Sequence, residues 1–421
     1  MSPAAPLVSR YTYRLHVRAA ILEGLFSGLI VTNDVVAQKT LGATQWQIVL
    51  LTMAPNVLQL LAPLAAREGG RVARFRLFLA AGLIGRLALL GMAAVTAPWP
   101  YLALFVLQSL MQTFIIPAQN ALYQQNYAAR VRGRLYGRAA MFGTLSACLG
   151  ALGAGFILDH APDAYRWLYP AAGAVGFLSC LAYGRIRLRR AALAVGAVAR
   201  LDDAAAAAPR KGPAALFADT VRETLVLNPA FRRFEAALFV YGLGFMSIQP
   251  VFARLFDTEL GMSYSDASLA KGVVTNLAII AVIGWAGRLL HRIGLERLAM
   301  ASYAALLVFA GGMAFAATPV QAVVLFALYG AGMAGVSIIW TMGPALYAPP
   351  GASARYMGVH LALVGVRALL GNVIGGGVAD LCDSSRPAFA LAAAFFGVAA
   401  LLASRALRLA HPPAVAPPPA G

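Results

Sequence analysis

The feature that most constrains this chain is a succession of long apolar runs cut by prolines and short charged segments. Runs near residues 18–38, 46–66, 75–96, 100–122, 137–158 and 167–186 are followed, after a polar stretch, by runs near 233–254, 267–290, 298–317, 321–345, 356–379 and 386–406. Each approaches the roughly 20 residues that a helix needs to cross the hydrocarbon core of a bilayer. Backbone in lipid must satisfy its own polar groups, so runs of this length are read as helices. The reading is an all-α polytopic membrane protein with twelve transmembrane helices in two pseudo-symmetric six-helix halves. Composition excludes the soluble alternative, because only 12% of the 421 residues are charged where about 25% is usual for soluble domains.

A formal net charge of +18 invites a nucleic-acid reading until the charges are placed along the chain. With both termini and the even-numbered connections on one side, that side holds 27 of the 34 Lys and Arg; the other keeps Lys39, Arg166, Arg254, Lys271 and Arg386. The positive-inside rule then makes both termini cytoplasmic, and the charge reports topology and no nucleic acid partner. Arginine exceeds lysine by 31 to 3, which points to a GC-rich bacterial genome and a bacterial cytoplasmic membrane. Residues 1–16 carry no cleavable-signal pattern, so the first span is expected to direct insertion. Cys148, Cys180 and Cys382 are too scattered for a disulfide framework or a metal site. No nucleophile–base constellation or phosphate loop appears, so neither enzymatic activity nor a cofactor is expected.

Organisation follows as residues 1–186, a six-helix half; 187–231, a cytoplasmic linker; 232–408, a second half; and 409–421, a disordered tail. Within the linker, residues 214–227 read as a short amphipathic surface helix. The halves repeat each other: Arg134, Gly137, Gly150, Gly155 and Asp159 recur as Arg355, Gly358, Gly371, Gly376 and Asp380, all at an offset of 221. A shared register is more informative than the residue types alone, which any membrane bundle uses for close packing.

The connection after the second span of each half carries a second repeat. Leu64, Arg67 and Gly69 correspond to Leu289, Arg292 and Gly294, with Arg71 closing the first copy and Gly287 leading the second. In this loop the chain resembles the major facilitator superfamily, whose signature is Gly-x-Leu-x-Asp-Arg-x-Gly-Arg-Arg; Ala66 and His291 stand at the signature aspartate. The resemblance implies secondary transport by alternating access, with Arg67, Gly69, Arg71, Gly287, Arg292 and Gly294 as a conformational loop and the first and eleventh spans lining the pathway. A proline–glycine pattern known in the fifth span of proton-coupled drug exporters of the family is absent from Gly143–Gly155.

Ionisable groups inside a span cost several kcal/mol unless paired or wet, so each is a functional candidate. Glu23 and Asp34 lie eleven residues apart on the first span, about three turns, which on a regular helix puts both on one face. With His360 they are the candidates for binding a coupling proton or cation. Arg367, mid-way along the eleventh span, would present its forked donors to a substrate anion; Arg86 on the third would pair with a carboxylate or serve the substrate. These four charged groups balance to zero. Asn33, Asn56, Gln59, Gln108, Gln112, Tyr241, Gln249, Asn276, Trp340 and Asn372 complete the substrate-binding candidates, with Gln108 and Gln112 sharing one helix face. The expected partners are a small-molecule substrate, the bilayer and protons, with the chain acting as a monomer. The rival readings are a lipid or amphiphile translocator of the same fold, and a non-transporting membrane partner or sensor.

Overall fold

The computed structural model describes residues 7–61, 74–186, 219–349 and 352–410. In chain order the first half contains α1 (Val8–Lys39), α2 (Gln45–Val57, prolonged by a 3-10 turn, Leu58–Leu61), α3 (Phe75–Ala94), α4 (Pro98–Asn126), α5 (Ala129–His160) and α6 (Tyr165–Gly184). The second half contains α7 (Pro229–Glu259), α8 (Tyr264–Leu290), α9 (Leu295–Phe315), α10 (Pro319–Tyr347), α11 (Ser353–Leu381) and α12 (Arg386–Ala410). Among the described residues ten helices are long and apolar enough to cross a membrane; α2 and α6 fill the second and sixth places of the bundle. No strand occurs among the described residues.

Local sequence sets the ends of these rods. Pro98, Pro229 and Pro319 occupy first helical positions, where proline loses no hydrogen bond and its φ is already helical. Thr44, Ser263 and Thr318 close capping boxes with Gln47, Asp266 and Gln321. Helix begins at Leu7, well before the run starting at residue 18, which brings His16 into α1.

The 221-residue repeat is realised in the packing. A methyl group added at Gly150 would lie 2.8 Å from the Leu25 carbonyl on α1; one at its counterpart Gly371 would lie 2.6 Å from Met246 Cβ and 2.9 Å from the Leu243 carbonyl on α7. Each glycine therefore lets the fifth helix of its half touch the first through backbone. Gly155 and Gly376 face the opposite half instead, against Ser265 and Ser268 on α8 and against Val49 on α2. Gly371→Ile is expected to force α7 and α11 apart at a cost of about 1–3 kcal/mol or more. The check is the monodisperse fraction after detergent extraction, which should fall well below that of Gly358→Ile, since Gly358 has open space around it.

The halves meet at the end of the bundle away from both termini, where a set of hydrogen bonds and an ion pair join them. Lys271 Nζ donates to both Asp34 oxygens, at 2.6 and 2.7 Å. The amides of Tyr264 and Ser265, at the start of α8, donate to the Asp159 carboxylate at 2.6 and 3.0 Å. In the mirrored position Trp46 Nε1, at the start of α2, donates to Asp380 at 3.2 Å. Gln45 Nε2 reaches the Pro250 carbonyl at 2.8 Å, where α7 breaks into a 3-10 turn.

The expected loop residues Arg67, Gly69 and Arg71, most of the expected linker and almost all of the tail lie outside the described residues. In the second loop Gly294 has φ +84°, turning α8 into α9, while Gly287 has open space around it and Arg292 is exposed. Where the expected linker helix is described, Thr224 is buried and Glu223 pairs with Arg355 at the start of α11.

Candidate solute cavity

Two neighbouring chambers open among α1, α4 and their partners in the first half. The larger, about 430 Å³, lies toward the terminal end of the bundle and is lined by His16, Glu23, Ser27, Gln112, Gln119, Tyr123, Tyr136, Thr144 and Tyr183, with Asn276 contributed by α8. The smaller, about 220 Å³, lies deeper between α1, α2 and α4 and is lined by Asn33, Gln59, Gln108, Ser109, Gln112 and Thr113 against Ile30, Leu51, Pro55 and Phe105. Gln112 and Ile116 border both.

One ion pair is built into the chamber wall. Arg86 is 2% exposed, and its Nη2 donates to Glu23 Oε1 at 2.5 Å and to Gln112 Oε1 at 2.6 Å. Its guanidinium lies 3.9 Å over the Phe26 ring, a favourable place for a cation out of water. Ser179 Oγ donates to the other Glu23 oxygen at 3.0 Å. Glu23 keeps 27% of its side-chain surface open, so it borders the cavity while Arg86 stands behind it. Arg86 ends a π-helical turn, Gly82–Arg86, followed by a 3-10 segment. The extra residue of a π turn rotates the side chains that follow it, a device concentrated at functional sites. Lys271 lies in a second such turn, Leu269–Val274.

Asp34 does not share a cavity face with Glu23. The regular helix stops at Leu29 and resumes at Asn33, so the three-turn spacing expected from sequence is broken between them. Glu23 turns to α3 within its own half, and Asp34, 2% exposed, turns to α8 across the halves.

The second half holds a third buried pair. His360 Nδ1 lies 2.9 Å from Glu235 Oε1, the side chains 0% and 2% exposed, with the Trp340 ring edge-on at 5.3 Å. Glu235 falls within the apolar run 233–254, and Lys271, which the side-by-side count of basic residues puts on the outer side, falls within the run 267–290. The intramembrane set thus grows from four charged groups to six, still balanced. His16 was missed because the first span begins earlier than hydropathy suggests; it stacks on Tyr123 at 4.4 Å and lies 2.8 Å from the Tyr127 hydroxyl.

Of the remaining candidates, Arg367 lines neither chamber. It is 2% exposed and donates from Nη1 to the Leu238 carbonyl at 2.7 Å, lying against α7 at Gly242, where no side chain blocks it. Tyr241 stacks on Tyr303 at 5.1 Å, and Gln249 Nε2 reaches the Phe245 carbonyl at 3.4 Å. Asn372 accepts from Thr52 across the halves at 2.9 Å, and Asn56 is half-buried but borders neither chamber. Among the described residues no three His, Cys, Asp or Glu side chains converge as metal ligands.

Two six-helix halves joined at one end, with a polar cavity at the other, define a polytopic membrane protein of transporter architecture. The chain matches the family model for the Major Facilitator Superfamily over residues 19–359, and again over 234–421. It belongs to that family. Its fold is similar to that of the nucleoside transporter NupG (14% identity, 94% of this chain and 99% of that one, TM-score 0.71). It is also similar to a bacterial homolog of the human lysosomal transporter Spinster in an inward-facing, unoccupied conformation (15%, 96% and 98%, TM-score 0.69), and to a D-xylose–proton symporter (11%, 94% and 97%, TM-score 0.66). No curated protein matches the chain significantly in sequence.

Proposed function

We propose that this protein is a secondary transporter that carries a small, uncharged polar solute across a bacterial cytoplasmic membrane by alternating access, coupled to protons through Glu23. The observation that carries this reading is the partly open Glu23 carboxylate in the wall of a polar cavity at one end of a bundle whose halves are latched at the other. With both termini cytoplasmic, as the positive-inside count favours, this is the inward-facing state. Asp34, Lys271 and Asp159 then form the outer latch, and Asp34 is assigned there and not to coupling. Glu23 and Arg86 cancel each other's charge, so the cavity favours neither anions nor cations. Tyr123, Tyr136, Tyr183 and His16 supply ring faces, and the amides and hydroxyls supply hydrogen bonds. A volume of about 430 Å³ falls among ordinary ligand pockets of roughly 300–1,000 Å³.

Protonation of Glu23 removes one charge of its pair with Arg86 and shifts the balance between the two states by whatever that pair contributes differently to each. A thermal-shift screen of purified protein against neutral polar metabolites identifies the solute, and uptake into proteoliposomes follows. Accumulation is expected to require an inward proton gradient in the native protein. Glu23→Gln keeps an acceptor for Arg86, and should retain solute exchange while losing gradient-driven accumulation at least tenfold. Native uptake indifferent to the gradient, or gradient-driven uptake by Glu23→Gln, would remove Glu23 from the mechanism.

A further inference from the structure

The smaller chamber has a chemistry of its own. Its side walls are apolar, from Leu51, Pro55 and Phe105, and no ionised side chain lines it. Three carboxamides, Asn33, Gln59 and Gln108, open onto it, and none has a side-chain hydrogen bond among the described residues. Gln108 is 9% exposed and Asn33 and Gln59 are half-buried, so these amides are held at the cavity wall with both their donors and their acceptors available to a ligand.

Gln112 at the mouth is different. A guanidinium has donors and no acceptor; Arg86 at 2.6 Å therefore fixes the Gln112 oxygen toward itself and leaves the Gln112 NH₂ to face the chambers as a donor. Gln108, one turn earlier on the same face of α4, is not fixed and can supply an acceptor.

A fixed donor beside a free acceptor, between apolar walls, matches a flat group with polar edge and apolar faces. We propose that the smaller chamber is a selectivity subsite for an uncharged planar amide edge, that of a carboxamide, lactam or cyclic imide. Gln112 donates to the ligand's carbonyl oxygen, Gln108 accepts from its N–H, and Phe105 and Pro55 bound the ring faces. A charged isostere is rejected because the chamber offers no counter-ion to offset its desolvation. Arg86 is thus a positioning residue that sets the donor sense of Gln112, while Glu23 holds Arg86 in place.

This rests on the cavity being the solute path, but it is tested separately from coupling because equilibrium binding needs no gradient. Purified full-length protein in detergent is titrated with nicotinamide, a flat carboxamide; with nicotinate, its charged isostere; and with glucose, a polyol. Saturable thermal stabilisation by nicotinamide and none by nicotinate is expected. Gln108→Leu should weaken nicotinamide binding about tenfold, the effect of losing roughly one good hydrogen bond. Gln108→Met, of nearly the same length but without an amide acceptor, should do likewise and decides the matter if the leucine variant fails to fold. Gln249→Leu, a glutamine outside the chambers, should bind as the native protein does. Stabilisation by glucose alone, equal binding of nicotinate, nicotinamide affinity indifferent to Gln108, or no binding of nicotinamide would each overturn the assignment.

Discussion

Arg86→Leu is expected to destabilise the first half by about 1–3 kcal/mol, below the usual cost of breaking a fully buried ion pair because Glu23 keeps 27% of its side-chain surface open to the cavity. The substitution strands Glu23, which loses its 2.5 Å partner and retains only Ser179 as a donor. It also frees the Gln112 oxygen and removes the cation from the Phe26 face. Glu23→Leu combined with Arg86→Leu should recover most of the loss, because an apolar pair of similar volume needs no compensation. Thermal unfolding in detergent, followed by intrinsic fluorescence, measures both. If the single variant is as stable as the double, leaving Glu23 without Arg86 costs nothing and the expectation fails. The double variant is nevertheless expected to be inactive in gradient-driven uptake, since it has no carboxylate at position 23 to take a proton.

Asp159→Ala is expected to loosen the closed end of the bundle. The Asp159 carboxylate takes two backbone amides from the first turn of α8, where the helix dipole adds to the attraction. Hydrogen bonds to a charged group contribute about 1.5–3 kcal/mol, enough to shift a two-state equilibrium by roughly tenfold or more. Cys148 reports the change directly. It is buried where α5 meets α8, its Sγ 3.6 Å from the Gly272 carbonyl. With exposed Cys382 replaced by serine, maleimide labelling of Cys148 should be slow in the otherwise native chain and about tenfold faster in Asp159→Ala. Equal rates would mean that the contact does not hold the halves together.

Much of this architecture is legible from residue order. The apolar runs correspond to the helices in place and sequence, because a membrane span needs length and apolar composition more than any particular neighbour. The repeat at offset 221 foretells that Gly150 and Gly371 play one part, Gly155 and Gly376 another, and that Asp159 and Asp380 close the same end. On α1 and α4, the candidates Glu23, Asn33, Gln108 and Gln112 border the chambers. In the second half Asn276 borders the larger chamber, while Tyr241, Gln249, Trp340, Arg367 and Asn372 find partners within the bundle and border neither. A polar residue in an apolar run announces that a partner exists, but not whether that partner is solute or protein.

The sequence by itself determined the helical membrane class, the two-fold repeat and the presence of a small, balanced set of charges inside the bilayer. Only the tertiary structure decided how those charges divide. Glu23 finds Arg86 across 63 residues, Asp34 finds Lys271 across 237, and Glu235 finds His360 across 125. For the first two pairs the choice depends on how far a helix is rotated about its axis, which the break between Leu29 and Asn33 and the π turns that carry Arg86 and Lys271 alter. Hydropathy has no term for such a turn: the same residues remain equally apolar whether the helix advances by four residues or by five.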